Sequence, residues 1–132
     1  MEEMYIDKIL LIKNDNDILS FEDGDITDET LENLKELWDH DELERIEIEN
    51  TEDCKSLVIF TNGSLFHVGI VDMFNDECSY IDDGSQDTEL IEISGNVFPK
   101  RNITENKAGV WKVIETFLSS GDMADQFNWY TE

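Results

Sequence analysis

Residues 57–71 read LVIFTNGSLFHVGIV, and this stretch decides the fold. Two apolar, β-branched runs flank Asn62-Gly63, the dipeptide that most strongly favours a tight turn between antiparallel strands. Leu57–Thr61 therefore reads as a central strand and Ser64–Val71 as its return. Period-two alternation puts Leu65, His67 and Gly69 on one face and Phe66, Val68 and Ile70 on the other. His67 then belongs to the less buried face, as a structural or surface histidine.

The pattern extends outward on both sides. Glu44–Glu49 (ERIEIE) alternates acid with isoleucine, as a half-buried strand does. Cys78–Ile81 and Glu89–Ile93 are two further strands, separated by the turn-rich DDGSQD. Upstream, Met4–Lys13 reads as a first strand, and Ile18, Leu19 and Phe21 form a short one between polar loops. Residues 28–39 are helical. Thr27 is the N-cap, Asp28 and Glu29 occupy the first turn, and Leu31, Leu34, Leu37 and Trp38 share one face. A second helix carries Ile103, Val110, Trp111, Ile114, Phe117 and Leu118, capped by Asn102 with Glu105 or by Thr104, and Gly121 ends it. Phe127 and Trp129 alternate on a last strand. The only proline, Pro99, lies in a basic island, FPKRN. The expected fold is α+β: one domain over residues 1–132, an antiparallel meandering sheet of about five to seven strands with two helices packed on it.

Charge dominates the composition. Thirty-three acids face nine bases, a formal net charge of -24. With 39% hydrophobic residues the chain still holds enough apolar side chains for a core. Such charge disfavours nucleic acid as a direct ligand; it suits a basic partner, which it would attract over a distance, and equally a surface that only keeps the protein soluble or reflects a salt-adapted host. No apolar run approaches a membrane span, and the acidic start MEEMYIDK lacks a signal-peptide layout, so a cytoplasmic protein is expected. In that compartment Cys54 and Cys78 are expected to be free thiols.

Motifs for chemistry are missing. An EF-hand loop started at Asp23 fails at its glycine position, Asp28, and at its last ligand, Leu34. His40, Cys54, His67 and Cys78 lack zinc-ligand spacing. No nucleophile elbow or phosphate loop is present. A Cys78–His67 pair would need two strands to bring it together. At this density of acids, carboxylate pairs occur at every spacing and indicate nothing about glycoside chemistry. The expectation is a non-enzyme that needs neither metal nor cofactor.

A partner would meet the region between Lys55 and Lys100, which holds no Lys or Arg. Asp72, Asp76, Glu77, Asp82, Asp83 and Asp87 surround Phe74 and Tyr80 there, an acidic rim around aromatic anchors. The Trp38–Glu44 loop is a second candidate.

Phe98, Pro99, Ile103, Val110, Ile114, Phe117, Leu118, Gly121, Phe127 and Trp129 together form a pattern. It resembles the C-terminal pattern of the immunity protein 1 family of bacterial polymorphic toxin and contact-dependent growth inhibition systems. The central hairpin, LVIFTNGSLFHVGI, is similar to that family's as well. The chain departs from the family in KRN, where a glycine-containing turn is frequent, and in lacking a proline soon after Gly121. The resemblance implies an antidote that binds a cognate toxin C-terminal domain, a basic nuclease or deaminase, and covers its active site or substrate path. The acidity alone would equally suit a nucleic-acid mimic that regulates a DNA- or RNA-binding protein.

Overall fold

A computed structural model describes residues 4–132; the reading of the first residues, Met1 to Glu3, lies outside them. The strands are Lys8–Lys13 (β1), Ile18–Glu22 (β2), Leu43–Asn50 (β3), Lys55–Thr61 (β4), Phe66–Asp72 (β5), Glu77–Ile81 (β6), Leu90–Ile93 (β7), Asn96–Pro99 (β8) and Trp129–Thr131 (β9). The helices are Asp28–Asp39 (α1) and Lys107–Ser120 (α2). Seven strands form one antiparallel sheet in the order β2-β1-β3-β4-β5-β6-β9, and β7 and β8 make a separate two-stranded sheet. This is the expected α+β fold.

The pairing register explains why the helices sit where they do. Ile9 lies beside Ile48, Ile48 beside Leu57, and Leu57 beside Ile70. A neighbouring row runs Leu11, Ile46, Ile59, Val68. All eight are buried on one face of the sheet. A row of this kind must be covered, at about 1.5–3 kcal/mol gained for each large side chain removed from water. Both helices supply the cover. Leu34, Leu37 and Trp38 of α1 and Val110, Val113, Ile114 and Phe117 of α2 join the same core. Trp38 is the joint between layers, its ring centroid 5.2 Å from that of Phe66 and 5.8 Å from that of Trp111.

Local signals place several boundaries. Thr27 caps α1 as expected: its hydroxyl accepts the Thr30 N–H, and the Thr30 hydroxyl accepts the Thr27 N–H. Gly121, at φ 73°, ends α2 by donating its N–H to the Phe117 carbonyl. The Asn62-Gly63 turn is present in a longer form, with the Asn62 side chain accepting the Ser64 and Leu65 N–H groups.

Three expectations need correction. β1 begins at Lys8 and not at Met4, because Tyr5 leaves the sheet to donate its N–H to the Leu118 carbonyl on α2. Neither Asn102 nor Thr104 caps α2. Ile103 lies outside the helix and Asn106 is the cap, its side chain accepting the Gly109 N–H. The cause is tertiary: Thr104 and Phe66 exchange backbone bonds at 2.9 Å, which holds residues 103–104 extended against β5. Lastly, the segment leading into the basic island is a strand that was not expected: β8 ends on Phe98 and Pro99, the first residues of the island. Ser94 and Gly95, at φ 47° and 86°, form a tight turn of the mirror-image type that joins β7 to β8.

Gly121 offers a direct test of the helix stop. A methyl group there would require a left-handed backbone and would collide with the Tyr5 ring. Gly121→Ala should cost about 1–3 kcal/mol from backbone strain, more if Tyr5 is displaced. Urea unfolding should show a lower midpoint with an unchanged slope; a wild-type midpoint would refute this packing.

Candidate functional site

Among the described residues neither α1 nor α2 covers the second face of the sheet. From β5 to β9 that face presents Val71 beside Cys78, and Gly69 beside Tyr80, which in turn pairs with Tyr130. The Glu132 N–H donates to the Cys78 carbonyl, which places Glu132 in line with Cys78. The small sheet of β7 and β8 docks at one end of this face. Ile93 is fully buried there, and the Ser94 hydroxyl donates to the Thr61 carbonyl at 2.8 Å.

His67 is the anchor of that docking. Its ring stacks on Phe98 of β8 at 3.9 Å between centroids, and the Phe60 and Phe98 rings lie 5.2 Å apart. Nδ1 sits 2.9 Å from the Asn102 carbonyl. A carbonyl can only accept, so Nδ1 carries the proton of a neutral ring. Burial holds the His67 pKa below the usual 6.5, against a smaller opposite effect of the Asn102 bond. His67 is thus buried and structural.

Two clefts of about 430 Å³ open along β6 and share Glu132. One is walled by Tyr80, Tyr130, Phe98 and Arg101. The other is walled by Val71, Cys78 and Met73 with Asp72, Asp76 and Glu77. Tyr80 stands between them, one edge of its ring beside Gly69, where an added methyl would crowd Cδ1 at 3.3 Å. Its hydroxyl is pushed up to about 12 by the neighbouring Cys78 side chain first, then by burial and by the charge of Glu132. It stays a neutral phenol, able to donate or accept.

The residues singled out in sequence fall at two ends of this groove. Asp72, Phe74, Asp76 and Glu77 are at the β5–β6 hairpin tip, where Met73 and Phe74 are 73% and 71% exposed. Asn75 bonds the Asp72 carboxylate at 2.8 Å and holds its pKa below the usual range, helped by the charge of Lys55. Tyr80 is in the middle. Asp82, Asp83 and Asp87 are at the far end, where bases meet them. Arg101 lies 3.3 Å from Asp82, Lys100 lies 3.9 Å from Asp87, and the Asp83 N–H donates to the Arg101 carbonyl at 2.8 Å. The Asp83 carboxylate is held low mainly by Ser85. Tyr130, Phe98, Arg101 and Glu132 were not anticipated. Tyr130 was within reach, because it follows Trp129 in β9 and so faces the opposite side; Phe127, expected on the same strand, lies before it in a bend.

The structure does not bring Cys78 and His67 together. They lie in different rows of the face with Tyr80 between, and the accessible side of His67 is taken by Phe98. Both cysteines are free. Among the described residues no group of three His, Cys, Asp or Glu side chains is placed to hold a metal ion, and no helix is long and apolar enough to cross a membrane. Comparison with protein-family models, with curated proteins and with solved structures finds no match for this chain.

His67 sets a pH dependence whose sign follows from its shift. The unfolded histidine takes up a proton near pH 6.5 and the folded one only lower. Its contribution to stability is complete above pH 6.5 and is lost as pH falls toward the folded pKa. An NMR titration should place the His67 pKa below 6.5, with β7–β8 amides losing exchange protection as the ring protonates. A His67 pKa at the free-imidazole value would rule out the buried stack.

Proposed function

We propose that this protein is an immunity protein, a stoichiometric antidote that binds one basic toxin domain and blocks it. The observation that carries the reading is the β5–β6 hairpin tip. There two large apolar side chains, Met73 and Phe74, stand in solvent beside Asp72, Asp76 and Glu77. Exposed anchors within an acidic rim suit a partner with a complementary basic surface.

Charge and anchors divide the work. The net charge of -24 speeds encounter with a nuclease or deaminase, whose substrate path must be basic to hold nucleic acid. Phe74 and Met73 then supply the desolvated contact that slows release. The clefts on either side of Tyr80 extend the contact along β6. At the far end Arg101 and Lys100 already neutralise Asp82 and Asp87, so attraction is concentrated at the tip. Inhibition requires no chemistry from this chain, because covering the substrate path is sufficient. The acidic-regulator reading draws on the same charge, but it gives exposed Phe74 and Met73 no task. A cytoplasmic location fits either role.

Co-expression of this chain with the toxin-like domain encoded beside its gene should restore growth, where an unrelated protein of equal acidity does not. Failure with both proteins soluble would defeat the antidote reading. In the purified pair, Asp76→Lys with Glu77→Lys should slow association about tenfold at low salt and less at high salt. Phe74→Ala should weaken binding by about 2 kcal/mol or more through faster dissociation. Its melting temperature should match wild type, since the ring is 71% exposed. Unchanged kinetics in both variants would move the interface to the Trp38–Glu44 loop.

A further inference from the structure

The opposite edge of the sheet carries a second, independent feature. β2 is the edge strand there. The Lys13 N–H bonds the Asp17 carbonyl and the Asp23 N–H bonds the Asp7 carbonyl, each at 2.9 Å, which fixes the phase of the β1–β2 ladder. Leu19 and Phe21 then exchange bonds with β1, and the N–H and C=O groups of Ile18, Ser20 and Glu22 point outward. Those three residues are exposed, and Ile18 is 60% so. An unpaired edge of this kind is a template for another strand.

Beside the edge, between β2 and α1, lies a cleft of about 440 Å³. Phe21 lines it on the strand side. Glu29, Glu32 and Glu36 line it on the helix side, and Asp25 closes one end. The spacings of three and four place the three glutamates in one strip along the helix. No Lys or Arg lines the cleft. The lysine of α1, Lys35, is directed elsewhere, 2.7 Å from Asp39 and over the Trp111 ring.

We propose that this edge takes up an extended basic segment of a partner polypeptide as an added strand. Backbone groups of Ile18, Ser20 and Glu22 hold its main chain. Every second side chain of the added strand faces the cleft, where Lys or Arg meets the α1 glutamates and the aliphatic stem lies on Phe21. Charge selects the occupant. A second copy would bring two such acidic strips together, in chains that each carry -24. The inference does not rest on the antidote reading, because β2 and β9 are opposite edges, six strand spacings or roughly 29 Å apart.

The test uses the full chain and a fluorescein-labelled peptide of alternating arginine and valine. Fluorescence anisotropy should show saturable binding, and Ile18, Ser20 and Glu22 should gain amide protection. Ser20→Pro removes an outward donor and no ladder bond, which an edge strand tolerates. It should lower affinity about tenfold with an unchanged circular dichroism spectrum. Of two peptides N-methylated on the arginines or on the valines, one should lose affinity to a similar degree, a control that leaves the protein unaltered. The proposal is overturned if both methylated peptides bind like the parent, which would mean attraction by charge alone. It is also overturned if protection appears at Met73–Glu77, or if the chain forms a dimer without peptide that Ser20→Pro dissolves.

Discussion

The rows Ile9–Ile48–Leu57–Ile70 and Leu11–Ile46–Ile59–Val68 lie side by side on one face of the sheet, and a surface of that kind cannot persist in water. Both helices are set by it. Each is entered from an edge of the sheet or from the small hairpin and returns to the same face, so that Trp38, Phe66 and Trp111 meet between the layers. With the cover complete on one side, the other side is left for display. The hairpin of β7 and β8 occupies part of it through Phe98 and His67, and the rest stays open.

This apolar layer also has to hold the chain together against its own charge. Among the described residues, seven of the nine basic side chains stand within ion-pair distance of a carboxylate. Most of these pairs are exposed, and such contacts add little to stability. Their effect is on distribution. Lys100 and Arg101 quiet the acids at one end of β6, while among the described residues no ion pair reaches Asp76 and Glu77 at the hairpin tip or Glu29, Glu32 and Glu36 on α1. The surface potential is therefore uneven, which favours some approaches over others.

Much of the fold was legible because its signals are local. The bounds of α1 follow from a hydroxyl cap and a 3.6-residue stripe, and β3 to β6 follow from period-two alternation and turn residues. Two of the misses, at Tyr5 and at residues 103–104, come from a distant partner. Residues 103–104 carry a helical cap signature, yet Phe66 claims their backbone. β8 was missed although the Ser94-Gly95 turn announced it. The candidate site was legible in composition and not in shape. A strand of five residues such as β6 separates its two ends by roughly 16 Å, so acids that look clustered in sequence divide between them. Glu132 and Tyr130 entered the site only through the pairing of β9 with β6.

The order of strands has a kinetic meaning. β3, β4, β5 and β6 follow one another in the chain and in the sheet, so each pairing closes a short loop at small entropic cost. The join of β1 to β3 must wait for α1 to be spanned, and that of β9 to β6 spans β7, β8 and α2. The central meander should therefore nucleate folding and the outer strands should arrive last. By the same logic they should open first under native conditions, so the borders of this sheet would be its most plastic parts.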